Sequence, residues 1–471
     1  MTEFPMVSAD YSIPLSMLTE NEIGHAKAHL YFRSFGGEKY GFGDEQRITL
    51  CKEENGILTV PRRYAYGNFS KEVLFKTVNK VSQGSPVSIC FNEEKQSSRP
   101  DLKKRQDLLI SRYMAALKSQ TMPFRGGLLS AACGTGKTVV ATKIMSILGR
   151  TSVVLVHKEF LMDQWRERML EFSDLSESDI GTVQKSTCDF SGKKVVIAMI
   201  QSLLEPEKYP PEFFSWAGAL FADESHRMSA PCFQAVITLF PAMYRVGLSA
   251  TPRRADGLQP VFEWHLGKVV AKMDGGNEIK PKIYQIPIKT EIPESLYLWR
   301  DHKSGQVKKL FLSKLVNLLV DIPERNEWIV KEIIKATRSG RKIMLLSDRR
   351  EHLAMLQRVL EVSDKSITVG LYMGGMKKEA LKQSEQCSAI LGTFAMAKEA
   401  LDIVMIDTLF LATPKSDIEQ PCGRILRYHE DKKEPIVVDL VDTLPACQDF
   451  ARKRLKQYRR LGYNVVKSAD S

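Results

Sequence analysis

The stretch Gly127-Leu128-Leu129-Ser130-Ala131-Ala132-Cys133-Gly134-Thr135-Gly136-Lys137-Thr138 decides the fold. It starts as an apolar run, breaks at two glycines, and passes into a helical pattern that lasts to residue 148. Strand, glycine-rich loop and helix together form the context of a phosphate-binding loop. Gly134 and Gly136 let the backbone curl so that its N–H groups face phosphate oxygens. Lys137 adds a positive charge at the distal phosphates, and the Thr138 hydroxyl suits Mg²⁺. Ala131 stands where the generic pattern has its first glycine.

The alternation continues outward from this loop. Apolar runs at 127–131, 152–156, 195–200, 219–222 and 244–248 are separated by polar, helix-like segments. A second set follows at 342–346, 389–391, 408–412 and 436–440. The runs are continuous rather than alternating, as in strands buried on both faces of a parallel sheet. Residues 138–148, 158–172 and 351–361 have the length and spacing of crossover helices. The fold class expected is therefore α/β, with two tandem parallel-sheet domains. Residues 96–272 form the first and 273–471 the second, with the turn Lys-Met-Asp-Gly-Gly-Asn at 272–277 near their junction. Residues 292–325 are expected to be a mostly helical, basic insertion. Residues 1–95 are rich in Gly, Tyr and Phe and carry short strand patterns near 47–51 and 56–60. They are expected to form a small β-containing accessory domain, left through the polar linker 92–100.

Two further elements bear on phosphate chemistry. Asp-Glu-Ser-His at 223–226 follows the run 219–222. An Asp-Glu pair after a strand is often only a helix N-cap. At the C-terminal end of a parallel strand, where open α/β sheets collect ligands, it gains meaning. Asp223 is then expected to hold Mg²⁺, and Glu224 to orient and deprotonate a water. Gln-Pro-Cys-Gly-Arg-Ile-Leu-Arg at 420–427 places Arg424 and Arg427 on one helix face. Such a pair neutralises charge on a transferring phosphoryl group.

Composition sets the outer limits. The 471 residues are 43% hydrophobic and 26% charged, and no run approaches a membrane span. The eight cysteines form no C-x-x-C pair, which indicates neither a zinc site nor a disulfide framework and suits a reducing cytoplasm. The formal charge is +12, a hint of a polyanionic partner. Residues 1–100 carry 12 basic and 12 acidic side chains, whereas the last 24 residues carry seven and two. The excess lies outside the N-terminal region and is densest in the tail.

As a set, these motifs resemble those of superfamily 2 DExH helicases, from about residue 100 to 465. Residues 131–138, 223–226, 249–251 and 420–427 occur in the order of motifs I, II, III and VI. In that family motif I commonly begins with Ala. Arg105-Gln106 sits where an adenine-reading glutamine is expected. Residues 157–165, 199–203, 345–348 and 392–402 resemble motifs Ia, Ib, IV and V, although Ala400 stands where motif V usually has Gly. The look is nearest to phage branch-migrating helicases of the UvsW type, with the poxviral transcript-release helicase, RecG and XPB as related groups.

The resemblance implies two RecA-like domains working with ATP and Mg²⁺. It implies an ATP site of Arg105, Gln106, Cys133, Gly134, Thr135, Gly136, Lys137, Thr138 and Asp402. Glu224, Lys137, Gln420, Arg424 and Arg427 would be catalytic, and Thr138 and Asp223 would hold the metal. His226, Ser249, Ala250 and Thr251 would couple hydrolysis to the strand. His157, Lys158, Gln201, Arg253 and Thr393 would grip nucleic acid. Arg62, Arg63 and Tyr64, in a Pro-Arg-Arg-Tyr-Ala-Tyr run, stand either as a further stacking and phosphate-binding surface or as ordinary strand aromatics. The function expected is an ATP-dependent, 3′→5′ DNA helicase or translocase acting on branched DNA in replication, recombination or repair. A monomer is expected, with no membrane partner, phage-encoded and in the host cytoplasm. Two alternatives remain: a transcript-release or RNA-directed helicase, and a nucleic-acid-binding module without hydrolysis.

Overall fold

The structure is a computed structural model. It describes residues 4–33, 47–132, 135–223, 230–250, 257–273, 280–300, 307–399, 403–418, 421–423 and 431–466. The described residues fall into two compact units, which meet in sequence at residues 276 and 277.

The first unit carries two main sheets. Short strands β1 (Met6–Val7), β2 (Tyr11–Pro14), β5 (Lys52–Glu54), β6 (Ile57–Val60) and β7 (Val78–Asn79) form one of them, in the order β5-β6-β2-β1-β7. Strands β3 (Tyr31–Arg33) and β4 (Arg47–Thr49) form a separate antiparallel pair. The larger sheet contains β8 (Arg125–Ala131), β9 (Ser152–Val156), β10 (Ile180–Gln184), β11 (Thr187–Cys188), β12 (Val195–Met199), β13 (Ala219–Ala222), β14 (Tyr244–Ser249) and β15 (Val269–Met273). Its order is β11-β10-β12-β9-β13-β14-β8-β15, and only β11 runs antiparallel to its neighbour.

The central strands are buried along their whole length, which explains their unbroken apolar sequence. Alternate residues feed two cores. Val154 and Val156 face a core built with helices Pro100–Lys118, Lys137–Leu148 and Glu159–Phe172. Val153 and Leu155 face a second core shared with Val7, Tyr11, Leu58 and Tyr64 of the N-terminal region. The described residues between 4 and 79 thus have a sheet of their own, yet they cover one face of the parallel sheet through a continuous apolar core.

This junction corrects one expectation. Arg62 and Tyr64 are fully buried rather than surface-exposed. The Arg62 guanidinium lies 4.4 Å from the Phe124 ring centroid, and the Tyr64 hydroxyl is 3.0 Å from His25 Nδ1. Arg63 donates to the Gly126 carbonyl at 2.8 Å, and burial pushes it down to about 10, so it stays charged. Arg62 and the half-buried Arg63 hold the N-terminal region to the start of β8, while the Tyr64 ring packs 5.2 Å from that of Trp264, so Arg62 and Tyr64 present no face to nucleic acid. Arg245 on β14 completes the junction. It is fully buried and donates to the carbonyls of Ala9, Ile237 and Phe240 at 2.7, 3.0 and 2.9 Å.

The second unit contains one parallel sheet of β16 (Lys282–Ile288), β19 (Ile343–Ser347), β20 (Val369–Tyr372), β21 (Ala389–Thr393), β22 (Thr408–Leu411), β23 (Ile436–Asp442) and β24 (Asn464–Val466), together with a small hairpin of β17 (Leu298–Arg300) and β18 (Val307–Leu310). The sheet order is β20-β21-β19-β22-β23-β16-β24. Its faces are again separate cores, with Met344 and Leu346 on one side and Ile343 and Leu345 on the other. Two buried ion pairs brace it: Arg325 Nε to Asp442 at 2.8 Å and Arg454 to Asp439 at 2.8 Å. The region expected to be a mostly helical insertion instead opens with the hairpin, and helix Leu312–Val320 follows. Leu298 and Leu310 alternate with outward residues and pack over Leu315 and Leu319 of that helix, a period that suits strands.

No helix among the described residues is long and apolar enough to cross a membrane.

Candidate nucleotide and nucleic-acid site

Strand β8 delivers the phosphate-loop sequence to the C-terminal edge of the first sheet, and helix Lys137–Leu148 begins just beyond it. Gly136 caps this helix at φ +79°, a left-handed conformation that glycine adopts without a Cβ clash. A Cβ there would also lie 2.6 Å from Gln106 Nε2. The backbone conformation favours glycine here, and any side chain would also displace the Gln106 amide from the loop. The loop closes on itself, with the Thr135 hydroxyl donating to the Ala132 carbonyl at 2.7 Å.

Gln106 reaches this loop from helix Pro100–Lys118. It is buried, and its Nε2 donates to the Thr135 carbonyl at 2.9 Å. Its Oε1 accepts from Gln96 Nε2 at 3.2 Å. The structure thus brings the expected adenine-reading glutamine to the phosphate loop. Arg105, on the same helix, is half-buried. Gln96 lies in the stretch expected to be a linker, and its role as a brace for Gln106 carries no sequence motif.

Asp223 directly follows strand β13, which lies two strands from β8 with β14 between them. All three run parallel, so Asp223, Ser249 and the phosphate loop share one edge of the sheet. Asp223 is nearly buried, and its Oδ2 accepts a 2.8 Å hydrogen bond from Trp165 Nε1. In sequence, Trp165 is simply the last residue of the stretch 157–165 that resembles motif Ia. The structure makes the indole an orienting donor for the carboxylate. Lys137, Thr138 and Ala250 lie at the same edge, with Thr138 in the first turn of the helix. Cys133, Gly134, Glu224, His226, Thr251, Arg253, Asp402, Gln420, Arg424 and Arg427 lie outside the described residues.

A groove of about 660 Å³ opens beyond β9 and β12. His157, Lys158 and Gln201 line it as expected, and Gln201 Nε2 donates to the His157 carbonyl at 2.9 Å. Lys185, Lys208 and Tyr209 also line it. The two lysines were missed because no motif marks them: Lys185 sits in a turn with a positive φ of 54°, and Lys208 ends the short 3-10 helix Pro206–Lys208. The Tyr209 hydroxyl fixes the Lys185 carbonyl at 2.7 Å. Lys158, Lys185 and Lys208 share the groove lining with Glu159 and Glu205, and Lys208 pairs with Glu205 at 2.6 Å.

In the second unit Thr393 ends β21 beside Ser347 of β19. Asp348 follows Ser347 and pairs with Lys415 at 2.9 Å. These residues form the corresponding C-terminal edge of the second sheet.

Residues 99–254 match the family described as "Type III restriction enzyme, res subunit". A putative ATP-dependent RNA helicase, L396 of Acanthamoeba polyphaga mimivirus, is 31% identical over 461 residues, covering 97% of this chain and 85% of the relative. The chain belongs to superfamily 2 of the helicases. The putative ATP-dependent RNA helicase QP509L of African swine fever virus (isolate Pig/Kenya/KEN-50/1950) is 24% identical over 460 residues, covering 91% and 86% of the two chains. Among solved structures, Saccharomyces cerevisiae Dbp5 bound to RNA and ADP BeF3 matches with a TM-score of 0.52 at 12% identity, over 81% of this chain and 97% of that one. That likeness bears out the fold class: both parallel sheets belong to RecA-like domains.

Proposed function

We propose that this helicase hydrolyses ATP to translocate along one DNA strand, and that it unwinds or branch-migrates forked and junction DNA, with 3′→5′ polarity. The observation that carries the nucleotide part is the shared edge of β8, β14 and β13, where Gln106, the phosphate loop and the Trp165-held Asp223 lie together. In this reading Gln106 and Arg105 receive the adenine side, and the loop from Cys133 to Thr138 cradles the phosphates. Asp402 also belongs to the ATP site. Thr138 and Asp223 would hold Mg²⁺, which neutralises phosphate charge when bound. Glu224 orients the water and takes its proton. Gln420, Arg424 and Arg427 offset charge on the transferring phosphoryl group. His226, Ser249, Ala250 and Thr251 link the site to the strand.

The groove beyond β9 and β12 supports the strand-binding part. His157, Lys158 and Gln201, joined by Lys185 and Lys208, suit a sugar-phosphate backbone and carry no base code. Arg253 and Thr393 extend that grip. The work would be done by a monomer in the host cytoplasm, with residues 1–95 as the accessory region, 96–272 as the first motor domain and 273–471 as the second. An RNA-directed reading is favoured by the names of the two viral relatives, and the same experiment decides between them.

That experiment is an ATPase and unwinding panel on forks, four-way junctions, plain DNA duplex and RNA duplex. DNA-stimulated hydrolysis with faster unwinding of branched DNA is expected. Stimulation by RNA alone would replace the DNA reading, and no stimulation by either would remove the motor reading. Glu224→Gln should retain ATP binding and lose turnover.

A further inference from the structure

The hairpin of β17 and β18 carries a surface that the nucleotide and groove residues leave unused. Its two faces differ sharply. Leu298 and Leu310 lie opposite each other and pack inward over Tyr297, Leu315, Leu319 and Leu444. Trp299 and Lys309 form the next cross-strand pair on the opposite face. There Trp299 is 54% exposed, a large share for the most costly side chain to leave in water. Phe311 extends the same strand, and two ammonium groups approach its ring, Lys309 Nζ at 5.2 Å and Lys314 Nζ at 5.0 Å from its centroid. Neither lysine forms an ion pair with a described carboxylate.

The hairpin is fixed rather than loose. Its inward leucines anchor it, and Phe311 N donates to the Tyr297 carbonyl at 2.8 Å, extending the ladder. Helix Leu312–Val320 is then tied to the sheet edge, because Arg349 Nη2 donates to the Ser313 carbonyl at 2.9 Å. Arg349 directly follows Asp348 at the end of β19, beside Thr393. The Trp-Lys face therefore belongs to the same unit as the strand-contacting edge and is braced against it.

We propose that the Trp299–Lys309–Lys314 face binds single-stranded DNA, with an unpaired base stacked on the indole and the flanking phosphates on the two ammonium groups. An exposed indole flanked by cations matches both parts of a single strand, a π-face and a phosphate chain. The face is sequence-tolerant, since every base can stack. This inference rests on the translocase reading and adds to it a base-stacking contact on the second unit.

The test measures binding of fluorescent oligo(dT), oligo(rU) and duplex DNA by anisotropy across a salt series, using the full chain. Trp299→Ala should weaken oligo(dT) binding by about tenfold, and Trp299→Phe should recover most of the loss. Lys309→Ala/Lys314→Ala should lower the salt slope by roughly 1.4, the value for two phosphates on a single strand. Thermal melting within a degree or so of wild type shows that the outward face was changed without unfolding the hairpin. If the wild type binds oligo(dT) and these variants bind equally well, the inference is overturned and the translocase reading stands. Trp299-dependent binding of oligo(rU) but not oligo(dT) overturns the assignment to DNA. If the wild type binds no probe, the translocase reading itself falls.

Discussion

Trp165→Phe tests whether the indole is a working part of the nucleotide site or only core filling. Trp165 is 1% exposed and Asp223 is 7% exposed, so their 2.8 Å hydrogen bond is shielded from water. A hydrogen bond to a charged acceptor contributes about 1.5–3 kcal/mol. Phenylalanine keeps most of the packing but leaves a small void, for about 1 kcal/mol more. The first unit runs to residue 276. At about 2 cal/mol/K per residue its unfolding entropy is roughly 0.6 kcal/mol/K. A loss of about 3 kcal/mol therefore lowers the Tm by about 5 °C. Stability alone does not distinguish the two roles. The deciding measurement is ATPase rate against Mg²⁺ concentration at saturating ATP. Loss of the group that orients a metal-binding carboxylate commonly costs ten- to a hundredfold in metal affinity. We expect the half-saturating Mg²⁺ concentration to rise by about tenfold. A variant that melts earlier but shows an unchanged Mg²⁺ profile would refute the orienting role.

Three other outcomes are expected. Gln106→Ala removes a buried contact to the phosphate loop and should raise the KM for ATP by about tenfold while narrowing the preference for ATP over GTP; unchanged nucleotide preference removes Gln106 from adenine recognition. Asp10 is pushed up to about 6, first by burial, with Arg245 and Arg62 opposing, so its contribution is full below about pH 4 and lost as pH rises through 6. Relative to Asp10→Asn, the wild type should lose up to about 3 kcal/mol between pH 4 and 7, and parallel melting curves would show that Asp10 titrates normally. Arg325→Met strands Asp442 in the second unit and should cost about 3–5 kcal/mol, with Arg325→Met/Asp442→Leu recovering much of it; a single variant as stable as wild type would mean that the pair contributes little.

What the sequence revealed and what it hid follow from burial. The runs at 152–156 and 219–222 match β9 and β13 because strands covered on both faces leave an unbroken apolar record. Strand β16 gave no such record, since Ile283 alone of its seven residues is fully buried and it contains Pro287. The loop at 131–138 and Asp223 stand out in the sequence because phosphate chemistry calls for fixed residue types at fixed positions. The bond from Trp165 was not, because 58 residues separate its partners and no motif encodes the pairing. The run at 62–64 misled for a related reason. Arginine and tyrosine read as surface on average. Here the neutralising partners are mostly backbone carbonyls and aromatic rings, which composition does not display.

That burial changes how the N-terminal region can take part in function. Arg63 meets the carbonyl of Gly126 at the start of β8, the strand that carries the phosphate loop. Arg245 meets the carbonyl of Ala9 from β14, the strand that ends at Ser249. The N-terminal region therefore holds the roots of the two strands whose tips form the proposed nucleotide site. Removing residues 1–95 would strip one face of the parallel sheet and leave the buried Arg245 short of a partner, so loss of activity on deletion would say nothing about substrate recognition. Recognition by this region, if it contributes, must come from outward side chains. The exposed face of β3 and β4 offers them: Tyr31 and Arg33 pair with Thr49 and Arg47, with the Arg33 guanidinium 5.4 Å from the Tyr31 ring centroid. Tyr31→Ala leaves the shared core intact. A change in junction preference with ATPase retained would then be evidence of recognition by the N-terminal region, free of the structural damage that deletion brings.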